Sequence, residues 1–255
     1  MSFPLKNKKI LVTREKSQIK PFSDLLLERK AKPIEIPLLK IDCLNVKEKL
    51  AQLNFQKIEW IFFTSAHGVN CFFSQIIDHS ILANCNIATV GHKTELALKK
   101  YQFKADFIPS TYNATVMSKE FLEKYPHANN ILLVRGNISR KELIEVFSEK
   151  QINFETITVY ETKFHDEIQE TFIQTLNQHR FDFLTFTSPS TVQAFYSFVK
   201  EEENVDEFLQ IPTVCIGTTT EKYAKELGFQ HTFIPETFTI ESMVDKMEEI
   251  VHMEG

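Results

Sequence analysis

Glycine is scarce in this sequence, with six residues in a chain of 255. The sequence contains no Gly-x-Gly-x-x-Gly stretch and no Gly-x-x-x-x-Gly-Lys-Ser/Thr stretch, so it lacks the backbone that cradles a dinucleotide or a nucleoside triphosphate. It also has no Gly-x-Ser-x-Gly elbow, the turn that presents the nucleophile of an α/β hydrolase. The chemistry of this chain therefore has to come from other residue types.

Cysteine is also rare, and its spacing carries no signature. The four cysteines are Cys43, Cys71, Cys85 and Cys215, without a Cys-x-x-Cys pair and without histidine at zinc-ligand spacing. The eight histidines form no His-Glu-x-x-His pattern. We therefore expect buried free thiols, no disulfide and no metal site.

The charge and hydropathy patterns exclude two further classes of partner. The net charge is −5 and the basic residues are scattered among acids, whereas a nucleic-acid binder needs a basic face. No apolar run reaches the roughly 18 residues of a membrane span, and the basic start at Lys6, Lys8 and Lys9 leads into a short strand pattern, not a signal-peptide core. We expect a cytoplasmic protein with no nucleic-acid partner and no membrane partner.

Short apolar runs alternate with amphipathic stretches along the chain. Residues 9–13, 60–63 and 87–90 are rich in β-branched and aromatic side chains, and each run precedes a helical pattern. Such alternation is typical of β-α-β units around a parallel sheet. In this class the loops at the carboxyl ends of the strands carry the binding chemistry.

Internal repeats indicate how the chain is built. Residues 63–69 match 186–192 around a Thr-Ser pair, and 91–109 match 217–235 from a glycine to a proline. Residues 10–14 also match 131–135. These repeats predict two related α/β units with a functional cleft between them. The order of the repeats fits two contiguous domains or a middle domain inserted into another; extended stretches at 38–43 and 158–163 favour the insertion.

Small hydroxyl residues follow several strands and precede helices. Such residues usually cap the helix, and the helix start they cap can also bind carboxylates or phosphates through backbone N–H groups. Arg14 and Arg135 close two strands and could pair with a carboxylate of a ligand or with a neighbouring acid. Tyr160 lies in an alternating strand pattern, where an aromatic residue is usually packing. The hydroxyl candidates are Thr64, Ser65, Thr187, Ser188, Thr218, Thr219 and Thr220.

These motifs together resemble the uroporphyrinogen-III synthase family over almost the whole chain. The motifs that carry the resemblance lie at 12–14, 63–65, 91–109, 133–136, 159–162, 186–190 and 216–220. The resemblance implies two flavodoxin-like parallel-sheet domains joined by a two-stranded β ladder, with the ligand cleft between them. The implied first domain is 1–38 with 164–255, the inserted domain is 44–157, and the ladder is 39–43 with 158–163. The chain departs from the family at His67, where members usually carry asparagine.

The resemblance also implies a reaction and a set of site residues. Hydroxymethylbilane, a linear tetrapyrrole with eight carboxylates, would lose water and close to uroporphyrinogen III with ring D inverted. This hydro-lyase chemistry of haem biosynthesis requires no cofactor and no metal, and we expect a monomer. Tyr160 aligns with the family's cleft tyrosine and is the candidate catalytic acid. The implied substrate-binding residues are Arg14, Thr64, Ser65, Arg135, Gly136, Thr187, Ser188, Thr218, Thr219 and Thr220.

Two other functions use the same features. A non-catalytic two-lobe intracellular sensor or binding protein could close on an anionic metabolite with the same loops. Such a sensor would bind the tetrapyrrole and leave its isomer outcome unchanged. A flavodoxin-like flavoprotein would be yellow on purification, which we do not expect.

Overall fold

The computed structural model describes residues 3–111, 114–139 and 141–254. The strands in chain order are β1 (Lys9–Val12), β2 (Lys32–Glu35), β3 (Leu39–Cys43), β4 (Trp60–Phe63), β5 (Asn86–Thr89), β6 (Ile131–Gly136), β7 (Phe154–Phe164), β8 (Phe183–Phe186), β9 (Thr213–Cys215) and β10 (Thr232–Phe233). The helices are α1 (Lys16–Glu28), α2 (Lys47–Gln52), α3 (Ala66–Phe73), α4 (His92–Lys99), α5 (Ala114–Lys124), α6 (Glu142–Glu149), α7 (Gln169–Gln178), α8 (Pro189–Val199), α9 (Val205–Leu209), α10 (Thr218–Glu226) and α11 (Ile240–Glu254). Short 3-10 helices span His79–Leu82 and Asp166–Ile168.

The chain divides into two compact units, each with its own sheet. Unit 1 comprises 1–40 with 163–255, and unit 2 comprises 41–162. The sheet of unit 1 has the order β10-β9-β8-β1-β2, and the second sheet has the order β3-β7-β6-β4-β5. Renumbered within unit 1, this order is 2-1-3-4-5, which is the flavodoxin-like arrangement. The expected α/β fold with two parallel sheets is confirmed.

The central strands are apolar on both faces because helices cover both sides of each sheet. All four residues of β4 and all four of β8 are buried, as expected for parallel strands inside a doubly covered sheet. In unit 2 the rings of Trp60 and Phe62 meet Phe121 of α5 edge to face, with centroids 4.8 and 4.7 Å apart. In the described part of the chain, no helix is long and apolar enough to cross a membrane.

The strands β3 and β7 connect the two units. The Leu44 N–H donates to the Val159 carbonyl and the His165 N–H donates to the Leu38 carbonyl, both at 2.9 Å. Residue numbers rise on one strand as they fall on the other, so the pair is antiparallel. The other paired strands of the two sheets run parallel.

The expectation of four free thiols is wrong for two of the cysteines. Cys43, at the end of β3, and Cys71, in α3, form a disulfide with their Cα atoms 5.3 Å apart. The bond links the end of β3 to α3, and a sequence separation of 28 does not reveal that these two residues meet. Cys85 and Cys215 are free. Burial raises the pKa of the Cys215 thiol to about 12 and also raises the pKa of Cys85.

Candidate active site

The candidate residues of unit 2 lie where the parallel strands end. Ser65 follows β4, Gly136 is the last residue of β6, and Tyr160 lies on β7. In the strand pairing, Gly136 is opposite Tyr160, after a register irregularity between Arg135 and Gly136. The topology therefore brings these three residues together at one edge of the sheet.

Ser65 and Tyr160 are joined by a hydrogen bond. The Ser65 hydroxyl donates to Tyr160 Oη at 3.0 Å. The same oxygen accepts the Gly68 N–H at 3.0 Å, so Ser65 is the N-cap of α3. Tyr160 is 8% exposed, and its ring centroid lies 6.0 Å from that of His67. The hydroxyl of Ser65 thus has two protein partners, and its contact with substrate stays a prediction.

Gly136 provides space for the Tyr160 ring. A Cβ atom built on Gly136 would lie 2.4 Å from Cε2 and from Cζ of Tyr160, and 2.8 Å from its hydroxyl oxygen. Real Cβ atoms essentially never come within 3.0 Å of another heavy atom. The family resemblance implies that Gly136 binds substrate. In the structure, its missing side chain leaves the space that the Tyr160 ring occupies.

Asn137, in the loop after β6, is hydrogen-bonded to β7 at Tyr160 and Thr162. The Asn137 N–H donates to the Tyr160 carbonyl at 3.2 Å. The Asn137 side chain donates to the Thr162 carbonyl at 3.1 Å and accepts the Thr162 N–H at 2.8 Å. Arg135 donates to the Ser139 carbonyl at 2.6 Å, so part of its guanidinium holds this loop and is not available to a ligand.

The equivalent loops of unit 1 present hydroxyl groups at helix starts. Ser188 caps α8 by accepting the Thr191 N–H at 3.3 Å, and its hydroxyl lies 2.9 Å from that of Ser190. At α10 the N-cap is Gly217, which has no side chain to accept a bond from the first N–H groups. Thr219 is exposed, whereas Thr220 is 3% exposed and packs inward. The expected hydroxyl cap is therefore present at α8 and missing at α10.

The remaining hydroxyl candidates occupy the same loops. Thr64 and Thr187 directly precede the two capping serines and are both half-buried. Thr218 is the first residue of α10 and is exposed. Thr218 and Thr219 are therefore the most accessible of the hydroxyl candidates, because the others are half-buried or buried.

Arg14 follows β1 and is half-buried. Its Nη2 donates to Gln18 Oε1 at 2.7 Å. Its Nε is buried and, among the described residues, has no acceptor. Burial lowers the pKa of the Arg14 guanidinium, and the charge of Glu241 partly offsets this effect. A buried donor without a partner costs free energy, and a ligand carboxylate would satisfy it.

Two residues near these loops were missed by sequence reasoning. Asn137 has a detectable signal, because asparagine at a strand end often bonds to nearby backbone. Phe238 is 58% exposed and its ring would lie 3.1 Å from a Cβ on Gly217; a lone phenylalanine between threonines carries no comparable signal. Within the described ranges, no cluster of three or more His, Cys, Asp or Glu residues could hold a metal ion.

The sequence of this chain is similar to those of known proteins. A family model described as uroporphyrinogen-III synthase HemD matches residues 20–245. The chain belongs to this family. The family is one of enzymes of porphyrin biosynthesis, and the match includes most of the loops described above. Arg14 lies before the matched residues.

Curated relatives agree with the family assignment. The porphyrin biosynthesis protein HemD of Ruminiclostridium josui is 29% identical over 256 residues, which is 98% of this chain and 50% of that protein. The chain thus spans half the length of this relative. The uroporphyrinogen-III synthase of Chlorobaculum parvum is 27% identical over 241 residues, covering 91% of this chain and 94% of that protein.

A solved structure shares the fold. The uroporphyrinogen-III synthetase of Helicobacter pylori superposes with a TM-score of 0.65 at 18% identity, covering 96% of this chain and 99% of that chain. At this identity the likeness concerns the fold alone. It is consistent with the flavodoxin-like strand order described above.

Proposed function

We propose that this protein cyclises hydroxymethylbilane to uroporphyrinogen III, with loss of water and inversion of ring D. The observation that carries the proposal is the family match along residues 20–245. Ser65 and Gly136 both lie against Tyr160 at the ends of the strands of unit 2, which supports a reaction site in that unit. No described feature favours a sensor over an enzyme.

Tyr160 is the proposed general acid. Its phenol would donate a proton to the departing hydroxyl as the C–O bond breaks, so that water leaves and an azafulvene cation forms. The substituted carbon of ring D then attacks to give a spiro intermediate, which fragments and recloses. The ring proton released in the last step balances the proton that Tyr160 donated. Because unassisted closure gives the uninverted isomer, holding the chain in the spiro-forming geometry is the larger contribution.

We propose that the carboxylate groups on the side arms of the substrate bind at helix N-termini. The N-termini of α8 and α10 attract anions, because the N-terminus of a helix carries partial positive charge. The first N–H groups of α10 are the better donors, since Pro189 of α8 has no N–H and Thr191 donates to Ser188. The unpartnered Nε of Arg14 would donate to another arm. These local donors would allow a chain of net charge −5 to bind a polyanion.

The cellular setting is part of the same proposal. We infer a monomer that works in the cytoplasm on a small tetrapyrrole, without a nucleic-acid or membrane partner. Cytoplasmic thiols are usually reduced, so in that compartment the Cys43–Cys71 pair would be open. The segment after Cys43 is also held by Gln75. Its side chain donates to the Leu44 carbonyl at 2.8 Å and accepts the Val46 N–H at 2.7 Å.

Catalytic turnover separates the synthase from a binding protein. Purified protein is mixed with a large excess of freshly generated hydroxymethylbilane, and the loss of the linear tetrapyrrole is followed against a protein-free control. The expected result is consumption of many substrate molecules per protein molecule. A binding protein would sequester substrate in proportion to its own concentration and leave the remainder to close at the control rate, which would overturn the proposal.

Tyr160→Phe is expected to lower kcat by about tenfold or more, since the proton donor is lost, while the packed ring keeps the fold stable. Steady-state kinetics and thermal unfolding measure the two effects. The matched control is Tyr125→Phe, because Tyr125 packs on Trp60 at the opposite end of β4, with centroids 4.6 Å apart. The control should keep wild-type kcat. Unchanged kinetics in Tyr160→Phe would remove Tyr160 from the chemistry.

Thr219→Ala is expected to raise KM more than it lowers kcat, because an exposed hydroxyl at the start of α10 would bind a substrate arm equally before and during the reaction. The comparison variant is Thr171→Ala, an exposed threonine near the start of α7, which should leave both constants unchanged. A fall in kcat with unchanged KM would instead place Thr219 in the chemistry.

A further inference from the structure

The hydrogen-bond directions around Ser65 determine where the Tyr160 proton can go. Ser65 Oγ accepts the Gly68 N–H and donates its own proton to Tyr160 Oη, with both contacts at 3.0 Å. A serine hydroxyl has one proton to give. Since that proton is directed to Tyr160, the phenol proton is not used in this contact and is available to another acceptor.

We propose that Ser65 is a positioning residue that directs the Tyr160 proton toward the substrate and stabilises the oxygen left behind. This inference rests on the proposed role of Tyr160 as general acid. When the phenol gives up its proton, its oxygen becomes negative, and a hydrogen bond to a charged oxygen is stronger than one to a neutral oxygen. The Ser65 contact therefore strengthens as the reaction proceeds, which accelerates the chemical step and not substrate binding.

The helix that follows Ser65 adds to this effect. Ser65 is the N-cap of α3, so the positive end of that helix lies next to the Tyr160 oxygen. The Gly68 N–H polarises the Ser65 hydroxyl, and hydrogen bonds in a chain reinforce one another. Gly68, Ser65 and Tyr160 form such a chain, in which Gly68 donates to Ser65 and Ser65 donates to the phenol oxygen.

The second Thr-Ser copy provides an internal comparison. Ser188 caps α8 in the same way as Ser65 caps α3. Its hydroxyl lies 2.9 Å from Ser190 Oγ and 3.3 Å from Thr191 Oγ1, and among the described contacts it meets no tyrosine. Capping is common to both copies, whereas the tyrosine contact belongs to Ser65.

The test is a double-mutant cycle on kcat. Ser65→Ala is expected to lower kcat about tenfold with little change in KM, and Ser65→Thr should restore most of the activity because threonine keeps both the cap and the donor. In the Tyr160→Phe background, Ser65→Ala should cause no further fall in kcat. Thermal unfolding should show a loss of Tm on Ser65→Ala in both backgrounds, because the cap of α3 is lost in each. The loss should be larger where the phenol is present, because the Ser65–Tyr160 hydrogen bond is lost as well.

The outcomes separate this inference from the proposed function. If Tyr160→Phe is impaired and Ser65→Ala multiplies the defect, Ser65 acts independently of the phenol and the inference fails alone. If Tyr160→Phe keeps full activity, both assignments fail. Ser188→Ala is the matched cap variant, and any fall in its kcat should persist in full in the Tyr160→Phe background. A Ser188→Ala effect that vanishes there would show that loss of a cap alone imitates the expected result, which would also overturn the inference.

Discussion

Gly136→Ala is expected to lower kcat by about 100-fold, the scale of loss that a 1 Å displacement of a reacting group can cause. The new Cβ would lie 2.4 Å from two ring carbons of Tyr160, so the ring has to move. Tyr160 is held by Ser65 on one side and by Asn137 along its backbone, so moving it disturbs both contacts. The overpacking should also destabilise unit 2 by about 1–3 kcal/mol. Steady-state kinetics and thermal unfolding report the two effects.

Gly228→Ala separates loss of stability from loss of function. Gly228 has φ of +93°, a conformation that alanine adopts only with strain, at a cost of about 1 kcal/mol or more. It lies in unit 1, and a Cβ there would meet Leu209 at an ordinary 3.5 Å. This variant should lose stability and keep its kcat. If Gly136→Ala loses stability but keeps its kcat, as expected for Gly228→Ala, the space that Gly136 leaves for the Tyr160 ring does not matter to the reaction.

Reduction of the Cys43–Cys71 disulfide is expected to cost about 3.5 kcal/mol of stability, because the bond closes a loop of 28 residues and restricts the unfolded chain. For a chain of this size the loss corresponds to a fall in Tm of about 10 °C. Cys43 is exposed, so a reductant can reach the bond. Thermal unfolding with and without reductant measures the effect.

Cys43→Ser should abolish the response to reductant. Cys215 is buried with a raised pKa of about 12, so little reactive thiolate is present at neutral pH. Cys85→Ser is the matched control, because Cys85 is a free thiol, and this variant should respond to reductant as the wild type does. A reductant response that persists in Cys43→Ser would show that the stabilisation has another source.

Local sequence patterns predict the strands and the helix caps, because both depend on residues that are close together in the sequence. The apolar runs at 60–63 and 183–186 lie in parallel strands that are buried throughout. The two Thr-Ser copies cap the following helices through Ser65 and Ser188, as expected for a hydroxyl before an apolar helix start. Both features depend on neighbours along the chain, so the repeats were sufficient to find them.

Contacts between distant residues account for what the sequence did not predict. The disulfide joins Cys43 to Cys71 of α3, and the space beside Gly136 of β6 holds the Tyr160 ring. Both depend on packing between elements that are distant in sequence, which no spacing rule encodes. Thr220 was predictable: with α10 beginning at Thr218, Thr220 and Ala224 lie four residues apart on its buried face. Its role in substrate binding stays a prediction.

The isomer of the cyclic product tests the central claim most directly. Folded protein is incubated with freshly generated hydroxymethylbilane, the products are oxidised, and type I and type III uroporphyrin are separated by chromatography. The expected result is a dominant type III product whose share rises with protein concentration. Type I product alone, at every concentration of protein that unfolds cooperatively on heating, would contradict the claim that this chain inverts ring D.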